Sequence, residues 1–436
     1  MIFSSDKQEL RLKWMFESCK NGAWGSEPDG EADVICIRAA DFDGQSGRLN
    51  EGERTLRAID PAVFEKIALR PGDLVMEKSG GGEKQLVGRT VLFDDERPSV
   101  TSNFLARCRP AAGIDPAYLN YLMLAIYAER GTYPHIKQST GIQNLDLTSY
   151  LDVRVSAPEL LAQQRIARFL DEKTALIDAL IEKKQALLAQ LAEKRQALIT
   201  RAVTKGLNTD VPMKPSGVDW LGYVPRHWEV KTLRRHVQRI EQGWSPQTER
   251  RMAEPDEWGV LKSGCVNLGI YDENEQKALP GTLDPKPELE VRANDVLMCR
   301  ASGSMQYIGS VALVERTRTK LMFSDKTYRI SLSSANTDRE YFVRMMSAKH
   351  LREQIRLSVS GAEGLANNIP QSNVLEYLHA FPPLLEQVQI ADFLRESIGD
   401  LDEAEGKIRA SSESWRAYRL ALVTAAVTGQ LPELNG

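Results

Sequence analysis

Three stretches of the sequence contain residue types that could do chemistry, but none has the spacing that the chemistry requires. Residues 79–84 (SGGGEK) are rich in glycine, yet they lack the G-x-x-x-x-G-K-[ST] spacing of a phosphate-binding loop and instead predict a flexible loop. Residues 367–370 (NNIP) lack the second proline and the aromatic ring of the N-P-P-[YF] loop, which stacks on a base extruded from DNA. Asp284, Glu288 and Glu290 could form a nuclease carboxylate cluster, but no lysine stands behind them, which favours a solvated acidic surface. The sequence therefore predicts no catalytic residue and no metal ligand, as in a recognition or scaffolding protein.

The elements that would position binding residues occur twice along the chain. Residues 197–204 (ALITRAVT) return as 421–428 (ALVTAAVT), and LLxQxxIAxFL at 160–170 returns at 384–394, both displaced by 224 residues. A repeat of this length indicates two similar domains rather than a short-period solenoid. Each unit is predicted to contain a mixed α/β segment of about 160–170 residues and then a long helical segment. Within the mixed segments, helices are predicted at 116–130 and, correspondingly, at 339–356.

The helical segments have the pattern of a coiled coil. Each segment starts after a proline, Pro158 or Pro383, which is favourable in the first turn of a helix. We expect a short helix in each segment, followed in the first copy by a longer helix from about 171 to 204. The longer helix would hold about 30 residues and be about 45 Å long. Apolar residues spaced by sevens indicate the seam of a coiled coil. The seam is predicted to contain Leu170, Ile177, Leu191 and Leu198 (with Lys184 in register), and Leu394, Leu401, Ile408, Trp415 and Leu422.

Charge favours pairing of these two helical segments within one chain. Residues 158–206 have a net charge of +3 and residues 383–431 a net charge of −3, so an antiparallel pair is electrostatically complementary. The alternative is that each helix packs only on its own domain.

Composition limits the remaining possibilities. The 436 residues allow about two to four domains, and 42% hydrophobic and 27% charged residues are ordinary values for a soluble globular protein. The net charge of −4 restricts any DNA-binding surface to local basic patches. Five scattered cysteines without a C-x-x-C pair indicate reduced thiols rather than disulfides or a zinc site. With no membrane span or signal peptide evident, we expect a cytoplasmic protein.

The helical repeats resemble a known family. Residues 160–174 (LLAQQRIARFLDEKT) through 198–206 (LITRAVTKG) are similar to the central conserved region of the specificity (S) subunits of Type I restriction–modification systems. Residues 216–228 (SGVDWLGYVPRHW) resemble the entry to the second target recognition domain of that family, and the C-terminal copy resembles its distal conserved region. The resemblance covers essentially the whole chain, with the target recognition domains similar in outline only.

The resemblance implies a fold and a division into domains. We expect an α+β fold in which two similar mixed α/β target recognition domains are joined by two long antiparallel helices, with a pseudo-twofold repeat. The domains expected are 1–157 and 209–382 for target recognition, with 158–208 as the central and 383–436 as the distal helical region.

The resemblance also implies function and partners. Each target recognition domain would read one half of a bipartite double-stranded DNA site, and the helices would set the spacer between the halves. Two methyltransferase subunits would dock on helix faces, with Arg165, Arg168, Lys183 and Lys194 as candidates, and two restriction or translocase subunits could join them. S-adenosylmethionine, ATP and Mg²⁺ would be held by partner subunits, whose complex would methylate adenine and cleave DNA, while this chain would hold no cofactor. The alternative is a coiled-coil scaffold that does not read DNA.

Polar loops in both halves are the candidates for DNA contact. Bases are read by Arg, Lys, Gln, Asn or Ser, and phosphates are bound by Lys or Arg. For any single residue a solvated loop is an equally good interpretation, whereas for the loops as a group DNA contact is favoured. The candidates are Arg38, Lys78, Ser79, Lys84, Gln85, Lys137, Gln138, Gln143 and Asn144 in the first half, and Lys262, Arg300, Ser302, Ser304, Gln306, Ser360, Asn367 and Asn368 in the second.

Overall fold

The computed structural model describes residues 8–31, 33–43, 46–82, 85–139, 141–359 and 367–434. The chain divides into a first unit, Met1–Ala186 with Ile408–Gly436, and a second unit, Leu187–Lys407. Among the predicted DNA contacts, Lys84 and Ser360 lie outside the described residues. Within the described ranges, no helix is both long enough and apolar enough to cross a membrane.

The first unit contains a four-stranded sheet, a three-stranded sheet, a two-stranded antiparallel pair and a second, short three-stranded sheet. Its strands are β1 (Gln8–Arg11), β2 (Phe16–Asn21), β3 (Asp33–Ile37), β4 (Thr55–Ala58), β5 (Leu74–Glu77), β6 (Ser79–Gly80), β7 (Thr90–Leu92), β8 (Ser99–Thr101), β9 (Leu105–Pro110), β10 (Ile136–Ser139), β11 (Ile142–Leu145) and β12 (Arg154–Ala157). Its short helices are α1 (Pro61–Ile67), α2 (Pro116–Ala128) and α3 (Leu147–Tyr150). The strand orders are β2-β9-β5-β7, β4-β3-β8, β1-β12 and β10-β11-β6.

The second unit repeats this topology after the long helix α4 (Leu160–Lys205). Its strands are β13 (Met213–Pro215), β14 (Tyr223–Pro225), β15 (Glu229–Thr232), β16 (Val237–Gln242), β17 (Gly259–Leu261), β18 (Gln276–Ala278), β19 (Val296–Cys299), β20 (Ala301–Ser302), β21 (Val311–Leu313), β22 (Leu321–Met322), β23 (Thr327–Leu332), β24 (Asn367–Asn368) and β25 (Leu378–Phe381). Its helices are α5 (Arg339–Met346), α6 (Lys349–Ser358), α7 (Gln371–Glu376) and the start of the long α8 (Leu384–Thr428).

The strand orders β16-β23-β19-β21, β18-β17-β22 and β15-β25 match β2-β9-β5-β7, β4-β3-β8 and β1-β12 of the first unit. The pair β20-β24 corresponds to β6-β11, with no equivalent of β10 among the described residues, and β13-β14 is an added pair. The internal repeat found in the sequence is therefore a repeat of the fold. The single helix predicted over 339–356 is wrong. The chain leaves the helix at Ser347, and Ala348 is extended with φ −68° and ψ 147°, so α5 and α6 are separate.

The central strand of each large sheet is buried on both faces. Residues of a strand point alternately to opposite faces. In β5, Leu74 and Met76 pack into a core with α2, whereas Val75 packs into a second core with strand β3. In β19, the same alternation places Val296 and Met298 on one side and Leu297 on the other. This is why these strands are continuous apolar runs in the sequence.

Each unit contains one end of each long helix. In the first unit, Leu170 near the start of α4 shares a core with Val423 and Val427 near the end of α8. In the second unit, Val203 near the end of α4 shares a core with Leu394 near the start of α8. The helices are therefore antiparallel in each unit, and they pack on the mixed domain as well as on each other.

The predicted break in the first helical segment is wrong. α4 is one helix of 46 residues that continues without a break through Leu170. Leu170, Thr174 and Ile177 are all buried and lie on one face of this helix. At 1.5 Å per residue its length is about 69 Å rather than about 45 Å.

The predicted seam residues are buried or half-buried in the structure. Leu170, Ile177, Leu394 and Leu401 are buried, and the half-buried members are Leu191, Leu198, Ile408, Trp415 and Leu422. A second row completes the alternating spacing of three and four residues expected of a heptad. That row contains Thr174, Ile181, Leu188, Arg195, Ile398, Glu405, Ser412 and Arg419.

Ion pairs join the helices inside each unit. In the second unit, the Arg195 guanidinium lies 2.9 Å from Glu405 and also pairs with Asp402. In the first unit, the buried Arg419 donates to both carboxylate oxygens of Asp178, at 2.8 and 3.1 Å. These pairs are consistent with the charge complementarity read from the sequence.

Candidate nucleic-acid interface

In the first unit, the two predicted DNA-binding loops form one small sheet. Strand β6 pairs with β11, which places Ser79 opposite Asn144 and Gly80 opposite Gln143. Strand β11 pairs in turn with β10, so that Lys137 and Gln138 stand at the outer edge of the same sheet. Long-range pairing thus joins segments that are about 60 residues apart in sequence.

The side chains of this sheet divide into those that shape the loop and those that face outward. Gln143 is buried; its Nε2 donates to the Gly82 carbonyl at 3.3 Å and its Oε1 accepts from the Val87 amide at 3.1 Å. Gln143 therefore holds the glycine-rich loop in shape. Lys137, whose side chain is 77% exposed, is 2.7 Å from Asp146. Gln138, like Gln85 and Asn144, is exposed.

Ser79 and Lys78 form the edge of the loop nearest the large sheet. Ser79 Oγ donates to Asn144 Oδ1 at 2.7 Å. The Lys78 carbonyl accepts from the Leu145 amide at 2.8 Å, which anchors the backbone. Partial burial of the Lys78 ammonium lowers its pKa.

Arg38 lies beside this loop at the end of β3, where the chain turns into a short 3-10 helix, Ala39–Asp41. Its backbone amide donates to Asp41 Oδ2 at 2.7 Å, and its guanidinium lies 3.0 Å from Asp41 Oδ1. The hydrogen bond with Asp41 raises the pKa of Arg38. Arg38, Ser79 and Gly80 line one cleft of about 440 Å³. The structure thus brings Arg38 together with the first loop.

The second unit builds the same arrangement from different side chains. Strand β20 pairs with β24, placing Ser302 opposite Asn367 and Ala301 opposite Asn368. Ser302 Oγ accepts from the Ser304 amide at 3.2 Å, and this bond shapes the loop. Ser304 Oγ in turn accepts from the Gln306 amide at 3.3 Å.

The predicted basic residues of the second unit are each held by a neighbour. Arg300 donates to the Tyr328 hydroxyl at 3.1 Å and to the Asp325 carbonyl at 3.0 Å. Lys262 follows β17 as Arg38 follows β3, and its ammonium lies 2.9 Å from Glu275. Both side chains are partly exposed, so they can exchange these partners for an anionic ligand.

A third element, a tight turn, completes the site in both units. The Phe104 carbonyl accepts from the amides of Lys78 and Ser79 at 3.0 and 3.1 Å. The Lys326 carbonyl accepts in the same way from the amides of Arg300 and Ala301, at 2.9 and 3.3 Å. The turns 102–105 and 324–327 are therefore equivalent, and each presents an exposed side chain, Phe104 or Lys326.

Sequence reasoning missed both of these turn residues. Serine occupies the first position of both turns, Ser102 and Ser324, which is a sequence signal for the turn. The sequence similarity does not extend to the exposed residue of each turn, because Phe104 is apolar and Lys326 is a cation.

The described residues lack a cluster of metal ligands. They include no group of three or more His, Cys, Asp or Glu side chains placed to hold a metal ion. Burial raises the pKa of the Cys36 thiol to about 11 and that of Cys265 to about 12, so both stay protonated at neutral pH. Neither thiol is suited to act as a nucleophile.

The long helices carry an exposed pattern that also repeats. Leu161 is 68% exposed and Leu385, 224 positions later, is 81% exposed. Arg165, Arg168, Lys183 and Lys194, predicted as docking residues, are exposed as well.

Comparison with known proteins identifies a related specificity subunit. No family model matches the chain. The chain is 30% identical over 205 residues to the Type I restriction enzyme EcoEI specificity subunit of Escherichia coli, covering 47% of this chain and 34% of that protein. The match thus spans about a third of the length of that relative. It confirms the resemblance to specificity subunits that the helical motifs predict.

One solved structure confirms the fold class. One match is a chain from a structural study of complex assembly and conformational transition of the type I R-M system. It has a TM-score of 0.71 and 13% identity, and the match covers 99% of this chain and 100% of that one. The HsdS subunit of Thermoanaerobacter tengcongensis has a TM-score of 0.48 and 12% identity, with 99% of each chain covered. The first of these matches shows that the chain has the α+β fold predicted from the sequence.

Proposed function

We propose that this chain is the DNA sequence-specificity subunit of a Type I restriction–modification complex and that each unit reads one half of a bipartite site. The observation that carries the proposal is the site built twice. In both units a basic residue after a strand, a short strand-loop and a tight turn lie at equivalent positions of the same topology. The frame is the same, but its side chains differ: Arg38 against Lys262, Lys78 against Arg300, and Phe104 against Lys326. Two similar frames with different side chains suit a split, asymmetric DNA sequence.

The long helices supply the second part of the proposal. Since α4 and α8 each contribute buried residues to both cores, their length of about 69 and about 68 Å would set the separation of the two half-sites. A fixed helix length gives a spacer of fixed length, and inserting one heptad would lengthen it.

The exposed helix surface supports partner docking. The repeated exposed leucines Leu161 and Leu385 suit two copies of one partner, which we propose to be methyltransferase subunits, and the exposed Arg165 and Arg168 lie on the same helix as Leu161. S-adenosylmethionine, ATP and Mg²⁺ would be bound by the methyltransferase and translocase subunits. This chain would act in the cytoplasm as the non-catalytic recognition subunit.

The test is to map the DNA sequence that the complex methylates. The chain is co-expressed with the methyltransferase subunit encoded beside it, in a host without adenine methylation, and N6-methyladenine is mapped across the genome. A single bipartite motif with a fixed gap is the expected result. Exchanging residues 1–157 for those of another specificity subunit should change one half of the motif only.

One control variant and one contrary outcome make the result interpretable. The substitution Trp14→Ala removes an exposed aromatic side chain outside the proposed interface and should leave the motif unchanged. A stable complex of the two proteins that methylates no sequence would contradict DNA reading and favour the coiled-coil scaffold.

A further inference from the structure

The cleft of the first unit contains two exposed aromatic rings beside a fixed cation. Phe104 is 49% exposed and Trp24 is 38% exposed, and both line the cleft of about 440 Å³ that also contains Arg38. The Trp24 ring is held by the Arg57 guanidinium, 4.2 Å from the ring centroid. Adjacent exposed apolar side chains in a cleft with a polar rim are typical of a ligand-binding groove.

Each aromatic residue is placed by the backbone of the repeat. The segment before Trp24 is fixed by Gly22, at which a Cβ atom would lie 2.0 Å from the Thr101 carbonyl oxygen. Gly243 in the second unit has the same contact, with the Phe323 carbonyl oxygen also at 2.0 Å. Close packing of these two segments therefore brings the chain at Trp24 alongside the turn that carries Phe104.

The equivalent position of the second unit has a different chemical character. Lys326 replaces Phe104 at the tip of the turn, and Asp325 replaces Asn103. Ser245 hydrogen-bonds to the Asp325 carboxylate, so the second turn is polar on its inner side. An exposed lysine can donate to guanine O6 or N7, whereas a phenylalanine ring offers only apolar contact.

Of the four bases, only thymine presents an apolar group in the major groove, its C5-methyl. The same groove presents guanine O6 and N7 to a guanidinium. Two exposed rings that line one cleft with Arg38 match a thymine methyl beside a second group that Arg38 can contact.

We propose that Phe104, which lines this cleft with Trp24, is a specificity-determining residue that contacts the C5-methyl group of a thymine in the half-site read by the first unit. Lys326 takes the equivalent position on the other half-site and contacts a base through hydrogen bonds. This inference rests on the proposed function and goes beyond it by naming the base and the group that is read.

The experiment uses the complex of this chain with its methyltransferase subunit and a duplex carrying the mapped motif. Each thymine of both half-sites is replaced in turn by uracil, which deletes only the methyl group. One replacement, confined to one half-site, should weaken binding of the unsubstituted complex about fourfold, the value of one buried methyl group. The same replacement should not weaken binding further in Phe104→Ala.

A second measurement covers the sequence read by living cells. Phe104→Lys should change or relax one position in one half of the methylation motif, and Lys326→Ala should affect only the other half. Trp14→Ala is the matched control, an exposed aromatic residue of the same unit outside the cleft.

The possible failures are distinct. A bipartite motif that is unchanged in Phe104→Lys, or a uracil effect that is equal in Phe104→Ala, overturns the thymine contact while leaving the proposed function intact. An unsubstituted complex that binds no sequence specifically overturns the proposed function, and the thymine contact with it.

Discussion

The buried glutamine at the start of each long helix is the sharpest test of how the units are built. Gln387 is fully buried, and its Nε2 donates to the carbonyls of Asn336 and Pro382 at 2.9 and 3.0 Å. Its Oε1 accepts from the Asp338 amide at 3.0 Å. Asp338 in turn caps α5 by accepting from the Tyr341 amide at 2.8 Å. One side chain therefore joins α8, the loop before it and the start of α5.

Replacing Gln387 by leucine keeps the volume and removes all three hydrogen bonds. Each hydrogen bond contributes about 1 kcal/mol net, and each buried group left without a partner costs about 1–3 kcal/mol. Allowing for the added apolar burial, we expect Gln387→Leu to lower the free energy of unfolding by about 3–5 kcal/mol. Gln163 makes two such bonds, to the Asp115 amide and from its Nε2 to the Pro158 carbonyl, so Gln163→Leu should cost about 2–3 kcal/mol.

The assay is urea unfolding followed by tryptophan fluorescence, to which the fully buried Trp228 of the second unit contributes. Gln389→Leu is the control, because Gln389 lies on the same helix and is exposed. Equal unfolding midpoints for Gln387→Leu and Gln389→Leu would refute the reasoning. A larger loss in Gln163→Leu than in Gln387→Leu would refute its account by hydrogen bonds.

Two further predictions concern the frame of each unit. Gly22→Ala should destabilise the protein by about 1–3 kcal/mol or more in thermal or urea unfolding, since the added Cβ would lie 2.0 Å from the Thr101 carbonyl oxygen. The control Gly281→Ala should be near neutral, because a Cβ at Gly281 has no atom within 4 Å. Equal stabilities of the two variants would contradict the close packing at Gly22. His350, stacked on and hydrogen-bonded to the buried His379, has its pKa lowered by burial from 6.5 to about 4. Below pH 6.5 the His350 imidazole therefore binds a proton in the unfolded chain but stays neutral in the folded chain. The free energy of unfolding should fall from pH 6.5 towards pH 4, by about 2 kcal/mol at pH 5. Urea unfolding of His350→Gln across this range should show a shallower loss, and an unchanged slope would contradict it.

The repeat, the helical character of the two long segments and the heptad spacing could be predicted because each is visible in the sequence pattern. The row through Leu170 and Ile177 is apolar at every seventh position except Lys184, which a periodicity search detects. The second row contains Arg195 and Glu405, which pair with each other and have no apolar signal. Such a row becomes visible only when both helices are in place.

The site was predicted as separate loops, and the joining of those loops was not. Ser79 meets Asn144 through strand pairing across about 60 residues, and nothing in either segment specifies the partner. The role of Gln143 was likewise hidden, since a glutamine in a polar loop looks like a base-reading residue until its burial is known. Long-range pairing decides both points, and single-sequence patterns do not contain it.

The two units separate the groups that shape the site from the groups that face outward. At the turn, both frames are held by backbone hydrogen bonds, because the carbonyls of Phe104 and Lys326 each accept from two amides at equivalent positions of the repeat. A backbone bond does not depend on which side chain its residue carries, so the exposed residue can change from aromatic to cationic without loss of the turn. The buried groups, such as Gln163 and Gln387, are by contrast the same in both units. A protein built in this way can change what each half recognises while it keeps one fold, because the stabilising contacts and the exposed contacts belong to different atoms.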